Sequence, residues 1–120
     1  MNKKTLVLGA STNPNRYSNI AVKKLVNNGI NVVAIGKKKG KIGDVEILNF
    51  KKKFESIDTV TMYLNKHNQI EYYKYILKLN PKRVIFNPGT ENEYFENLLR
   101  QNNIYFEHSC TLVLLSIGKY

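Results

Sequence analysis

Tryptophan is missing from this 120-residue chain, proline occurs three times and cysteine once. A single cysteine, Cys110, cannot form an internal bridge; this excludes the disulfide-stapled secreted domains and agrees with a reducing compartment. No apolar run approaches the roughly 18 residues of a membrane span. The opening Met1-Asn2-Lys3-Lys4-Thr5 leads into too short an apolar stretch for the core of a leader peptide, so the cytoplasm is the expected compartment. Repeats, linkers and low-complexity tracts are lacking as well. The most informative absence is of acid. Residues 1–43 hold nine Lys or Arg and no Asp or Glu, whereas residues 44–120 hold ten basic and nine acidic residues, within a net charge of +10. A one-sided positive field suits a polyanion or a phosphorylated small molecule. The alternative is a lysine-rich composition that serves solubility alone.

What is present describes one soluble globular domain, residues 1–120, with 42% apolar and 23% charged residues. The chain is organised around its first 18 residues. A β-branched apolar run, Thr5 to Leu8, passes through Gly9-Ala10-Ser11-Thr12-Asn13-Pro14-Asn15-Arg16 into a segment of helical spacing. Such a strand-to-helix junction offers unpaired N–H groups, the positive end of a helix dipole and side chains small enough to admit an anion. With one glycine where a dinucleotide fingerprint wants three, the stretch reads either as a phosphate loop or as an ordinary βα turn.

Ser18 is placed to cap a helix with Ile20, Ala21, Val22, Leu25 and Val26 on one stripe, ended by Gly29. A second strand, Asn31 to Ile35, runs into Gly36-Lys37-Lys38-Lys39-Gly40-Lys41. In a dinucleotide-binding sheet this position holds an acid that receives the ribose 2′-hydroxyl of NAD. Here stand lysines, which suit a phosphate on the ribose, as in NADP or coenzyme A; the bland reading is a solvated charged loop.

Further on, Gly43–Leu48 alternates like an edge strand, Asp58–Leu64 reads as a central strand, and Gln69–Leu79 as a helix with Ile70, Tyr73, Ile76 and Leu77 inward. Tyr72, Tyr73 and Tyr75 at helical spacing belong to core and rim. Strand Arg83–Phe86 meets Asn87-Pro88-Gly89-Thr90-Glu91-Asn92, where Thr90 and Glu93 have the spacing of a capping box for a helix through Asn102. Strand Ile104–Glu107 and a short helix capped by Thr111 close the chain. Five or six strands alternating with helices imply an α/β fold, a parallel sheet doubly wound by helices, with its ligand crevice beyond the strand carboxyl ends.

Motifs for several common chemistries are also absent: no Walker lysine loop, no metal-spaced His and Cys cluster, no nucleophile elbow. His67 and His108 stand alone, and the charged loops lack the aromatics of a nucleic-acid binder. Taken in order, Gly9-Ala10-Ser11, Asn13-Pro14, Arg16-Tyr17-Ser18, Asn87-Pro88-Gly89-Thr90-Glu91-Asn92 and Cys110-Thr111 resemble the small stand-alone CoA-binding domain proteins of bacteria. That family is similar in turn to the CoA-binding domain of the succinyl-CoA synthetase alpha subunit. The resemblance implies a Rossmann-like fold that holds coenzyme A or an acyl-CoA, with no established activity. Carried over by position, it gives Ala10, Ser11, Thr12 and Asn13 the phosphates; beside that carry-over, the junction itself adds Gly9 at the turn, Arg16 to pair with a phosphate or gate the cleft, and Ser18 at the helix start. Lys39 falls where the synthetase has a CoA-contacting lysine; Lys37, Lys38 and Lys41 are interchangeable candidates for that role, and Gly36 opens the same ligand-binding loop. Asn87, Pro88 and Gly89 fall near a third contact segment. The synthetase's phosphohistidine domain has no counterpart here, so its activity does not carry over.

The expectation is therefore a cytosolic binding protein, non-catalytic or weakly catalytic, for a nucleotide-bearing small molecule. A membrane or nucleic-acid partner is not expected, and a homodimer or a partner protein is left open. Two other readings stand beside it. One is an NADP-dependent oxidoreductase using Tyr63 or His108 as proton donor; the other is a regulatory subunit with a vestigial cleft.

Overall fold

The computed structural model describes residues 3–120. Met1 and Asn2, which begin the N-terminal segment read above as too short for a leader, lie outside the described residues. Seven strands form one sheet in the order β3-β4-β2-β1-β5-β6-β7. They are β1 (Thr5–Leu8), β2 (Val32–Ile35), β3 (Gly40–Ile42), β4 (Val45–Leu48), β5 (Thr59–Met62), β6 (Arg83–Phe86) and β7 (Tyr105–His108). Every neighbouring pair is parallel except β3 with β4. The order reverses between β1 and β5, which sets the crevice of an open α/β sheet over the carboxyl end of β1.

Alternation along the strands sends side chains to the two faces. Leu6 and Leu8 join Val60, Met62, Phe86, Phe95 and Leu99 on one face, while Val7 packs with Val22, Leu25, Ala34 and Ile47 on the other. The central strands β1 and β5 are buried throughout, as sheets covered on both faces require. Two helices, α1 (Tyr17–Asn27) and α5 (Thr111–Ser116), pack against each other. The rest are α2 (Lys66–Gln69), a 3₁₀ turn (Ile70–Tyr72), α3 (Tyr73–Leu79) and α4 (Glu93–Gln101). Among the described residues, no helix is long and apolar enough to cross a membrane.

Several local expectations are corrected. The lysine stretch is not all loop: Gly40–Ile42 forms β3, antiparallel to β4 through a turn at Gly43, so the strand count is seven. The helix expected over Gln69–Leu79 is three short pieces beginning at Asn65, whose side chain accepts from Asn68 N–H. Ile70 is 56% exposed, and the wholly buried residue is its polar neighbour Gln69. Helix α1 has Arg16 at its cap position rather than Ser18, which sits in the first turn with its side chain buried. In α4 the cap is Asn92, whose Oδ1 accepts from Phe95 N–H at 3.1 Å while Glu96 Oε2 accepts from Asn92 N–H at 3.0 Å. Thr90 instead donates to Asn87 O within the turn, which removes it from the expected box. The last helix is capped by Cys110, with Thr111 one residue inside.

Candidate functional site

At the end of β1 the chain turns through Gly9, which adopts φ +101°, a conformation that glycine alone takes freely. A Cβ there would stand 3.0 Å from the Tyr63 carbonyl carbon and 3.1 Å from Leu64 N, so β5 and its loop also require the small residue. The N–H groups of Gly9 and Ala10 both donate to Ile35 O, at 2.9 and 3.0 Å, and tie the first loop to the end of β2. Gly36 lies directly against Ala10, and Gly40 against the Thr12 methyl. The ends of the first two strands thus lie side by side, with Leu8 in register with Ile35.

The loop's own short polar groups hold its shape. Ser11 Oγ accepts from Asn13 N–H at 3.1 Å, Asn13 Oδ1 from Asn15 N–H at 2.9 Å, and Asn19 Nδ2 donates to Ser11 O at 2.9 Å. The amides of Ser11, Thr12, Tyr17 and Ser18 have no acceptor among the described residues. Arg16 is exposed at the start of α1, and the first carboxylate in the chain is Asp44. Free N–H donors at a helix start, with a guanidinium beside them and no nearby acid in sequence, suit an oxyanion such as phosphate.

Two clefts meet at Gly9. One, of about 240 Å³, is bounded by Ser11, Arg16 and Ser18 on one wall and by Tyr63, Asn65 and Pro88–Thr90 on the other. The second, of about 120 Å³, runs past Gly36 and Lys37 toward Leu64, Asn68 and Tyr72. Lys38 is exposed between neighbours that serve different hollows. Lys39 opens instead on a larger groove of about 590 Å³, with Lys41, Lys52 and Phe50, along the β3–β4 hairpin. The first loop and Pro88-Gly89 therefore share a cleft, while the lysines divide between two hollows. Tyr17, Leu64 and Tyr72 line the clefts without having been singled out as ligand contacts; their one signal is position, just past a strand end or at a helix start.

The wall after β6 rests on buried amides. Asn87 is 2% exposed; its Nδ2 donates to Thr61 Oγ1 (2.7 Å) and Met62 O (2.8 Å), and its Oδ1 accepts from Thr111 N–H (2.8 Å). Gln69 Nε2 donates to Leu64 O and Thr90 O, and its Oε1 accepts from Asn92 Nδ2, so one side chain joins the loops after β5 and β6. Tyr63 lines the larger of the two clefts, but its hydroxyl is enclosed and has no partner in hydrogen-bond geometry. Desolvation pushes its pKa far above the ordinary phenol value, the Cys110 thiol adds to the rise, and the nearby Thr111 and Thr61 hydroxyls oppose it. It stays protonated at physiological pH. His108 Nε2 lies 3.0 Å from Glu96 Oε2, held against the cap of α4. Among the described residues, no cluster of His, Cys, Asp and Glu has the makings of a metal site.

Comparison with known proteins bears on the fold and the family. No protein of curated description matches the chain. A crystal structure of an uncharacterised protein superposes with a TM-score of 0.97 at 48% identity, covering 100% of this chain and 99% of that one. A conserved hypothetical protein from Pyrococcus furiosus gives 0.82 at 22% identity, over 92% of this chain and 97% of that one. The dinucleotide-forming acetyl-coenzyme A synthetase 1 of Candidatus Korarchaeum cryptofilum gives 0.73 at 13% identity, over 88% of this chain and 25% of that one, a likeness of fold alone. The fold is the Rossmann-like one that the strand pattern implies, and residues 3–116 match the model of a known family. This chain belongs to the CoA binding domain family.

Proposed function

We propose that this protein binds coenzyme A or a short acyl-CoA, bent over Gly9. The observation that carries this reading is the meeting of two clefts at a junction with free helix-start amides. A phosphate-bearing ligand with two arms fits that arrangement, with its pyrophosphate on Gly9–Asn13 and the first turn of α1, beside Arg16 and Ser18. The adenosine arm then lies toward Gly36 and the lysines, and the pantetheine arm toward Tyr63 and Asn87-Pro88-Gly89. Lys37 lines the cleft of that arm, with Glu71 on its wall, and Lys39 and Lys41 open on the neighbouring groove; along the sequence no acid stands among these lysines to prefer a bare 2′-hydroxyl. The role is one of binding. Of the two residues considered as proton donors, Tyr63 has its hydroxyl enclosed and His108 lines neither cleft.

Calorimetric titration tests the reading. Replacing Lys37, Lys38, Lys39 and Lys41 together by Gln should weaken CoA by about tenfold, or about 1.4 kcal/mol, more than it weakens dephospho-CoA. Equal losses for the two ligands refute recognition of the ribose phosphate by that segment. A thermal-shift comparison of CoA, acetyl-CoA, NAD and NADP should show stabilisation by the first two alone, because only a ligand of the folded state raises the melting temperature.

A further inference from the structure

The two walls of the 240 Å³ cleft are prepared for opposite kinds of group. On the α1 wall the Ser11, Tyr17 and Ser18 amides are open, and the charged side chain is Arg16. On the wall after β6 the amides of Gly89 and Thr90, which line the cleft, and of Asn92 behind them are already taken. Gly89 N–H points at both oxygens of Glu91, at 3.1 and 3.2 Å. Thr90 N–H is bound to Asn87 O at 3.0 Å, and Asn92 N–H to Glu96 Oε2 at 3.0 Å. Two carboxylates of this chain thus already occupy donors that an anion would need there. Gly89 itself lines the cleft, so the Glu91 charge sits at its rim.

We infer that Glu91 makes the protein select CoA thioesters with neutral acyl groups, or the free thiol, and reject those ending in a carboxylate. The inference rests on the proposed placing of the pantetheine arm between Tyr63 and Gly89. An acyl carboxylate arriving at that end meets the Glu91 charge and finds no free N–H at Gly89, Thr90 or Asn92. Its water shell is removed without replacement, which disfavours it. A neutral acetyl group loses nothing comparable. The phosphates, on the opposite wall, are unaffected. Specificity arises here from a repulsive element rather than from a better contact for the preferred ligand.

The test compares acetyl-CoA with malonyl-CoA by isothermal titration on the wild type and on Glu91→Gln. Glutamine keeps an acceptor for Gly89 N–H and removes the charge; the residue is exposed, so the fold is retained. The wild type should prefer acetyl-CoA, and the variant should shrink that preference by about threefold to fivefold through tighter malonyl-CoA, in line with an exposed charge pair. Raising the salt concentration should shrink the wild-type preference too, by screening. Equal affinity for the two thioesters in the wild type, or an unchanged ratio in Glu91→Gln, overturns the inference while leaving CoA binding in place. Failure of both thioesters and of CoA itself to bind overturns the placing of the ligand, and the inference with it.

Discussion

Gly36→Ala is expected to destabilise the protein by about 2–3 kcal/mol, lowering the melting temperature by roughly 10 °C, and to abolish CoA binding. The cause is space, not backbone conformation. Gly36 has no positive φ, yet a Cβ placed on it overlaps the Ala10 carbonyl oxygen and comes within 3.0 Å of Ile47 Cγ2. Neither neighbour yields easily: Ala10 is pinned by its N–H bond to Ile35 O, and Ile47 is fully buried. The first loop must lift away from β2, and with it goes the alignment of the open amides that would hold the pyrophosphate. Gly40→Ala is the matched control. Its Cβ would meet only the Thr12 methyl, on an exposed side chain that can turn aside, so the cost should stay below about 1 kcal/mol. Scanning calorimetry and CoA titration on both variants check the pair. Equal melting temperatures and unaltered affinity in Gly36→Ala would show that the two loops are not locked together as described.

That contact explains what was legible in the sequence and what was not. β1, β2 and β5 announce themselves because strands covered on both faces read as runs rich in apolar and β-branched residues, and Leu6-Val7-Leu8, Val32-Val33-Ala34-Ile35 and Val60-Thr61-Met62 satisfy this locally. The βα junction follows from the same local pattern. β3 does not, since Gly40-Lys41-Ile42 has one core residue, Ile42, and its pairing with β4 is a decision of the hairpin as a whole. Ile70 and Gln69 reverse their expected places because the chain changes from α to 3₁₀ between them, which rotates the face that one helical period would bury. For the site, the sequence shows which loops carry unusual residues but not which loops touch. Ala10 and Gly36 are far apart along the chain and adjacent in the fold, whereas Lys37 and Lys39 are near neighbours along it and open on different hollows. Proximity of this kind comes from the sheet register, which no short motif encodes.

Asn87→Ala is expected to cost about 3 kcal/mol, or roughly 12 °C in melting temperature, in the absence of any ligand. The motif Asn87-Pro88-Gly89 reads as an exposed turn, and Pro88 and Gly89 are indeed exposed; Asn87 is turned inward beneath them. Its carboxamide gives two hydrogen bonds to β5, at Thr61 Oγ1 and Met62 O, and takes one from Thr111 N–H at the start of α5. Truncation strands the Met62 carbonyl and the Thr111 amide in a dry site, and each stranded group costs about 1–3 kcal/mol. Pro88→Ala touches none of this and should change stability by no more than about 0.5 kcal/mol. Asn87→Asp separates the hydrogen bonds from the loss of volume. It keeps an acceptor for Thr111 but sets a carboxylate oxygen against the Met62 carbonyl, so at neutral pH it should be no more stable than the alanine variant. Only the protonated acid can donate to Met62 O, so the folded state raises this aspartate's pKa above its unfolded value of about 3.9. The deficit relative to wild type should begin to shrink as pH falls through the raised folded value, with the recovery complete below about 3.9. A pH-independent deficit, or an Asn87→Ala variant as stable as the wild type, would remove Asn87 from its place as the brace between β5, β6 and α5.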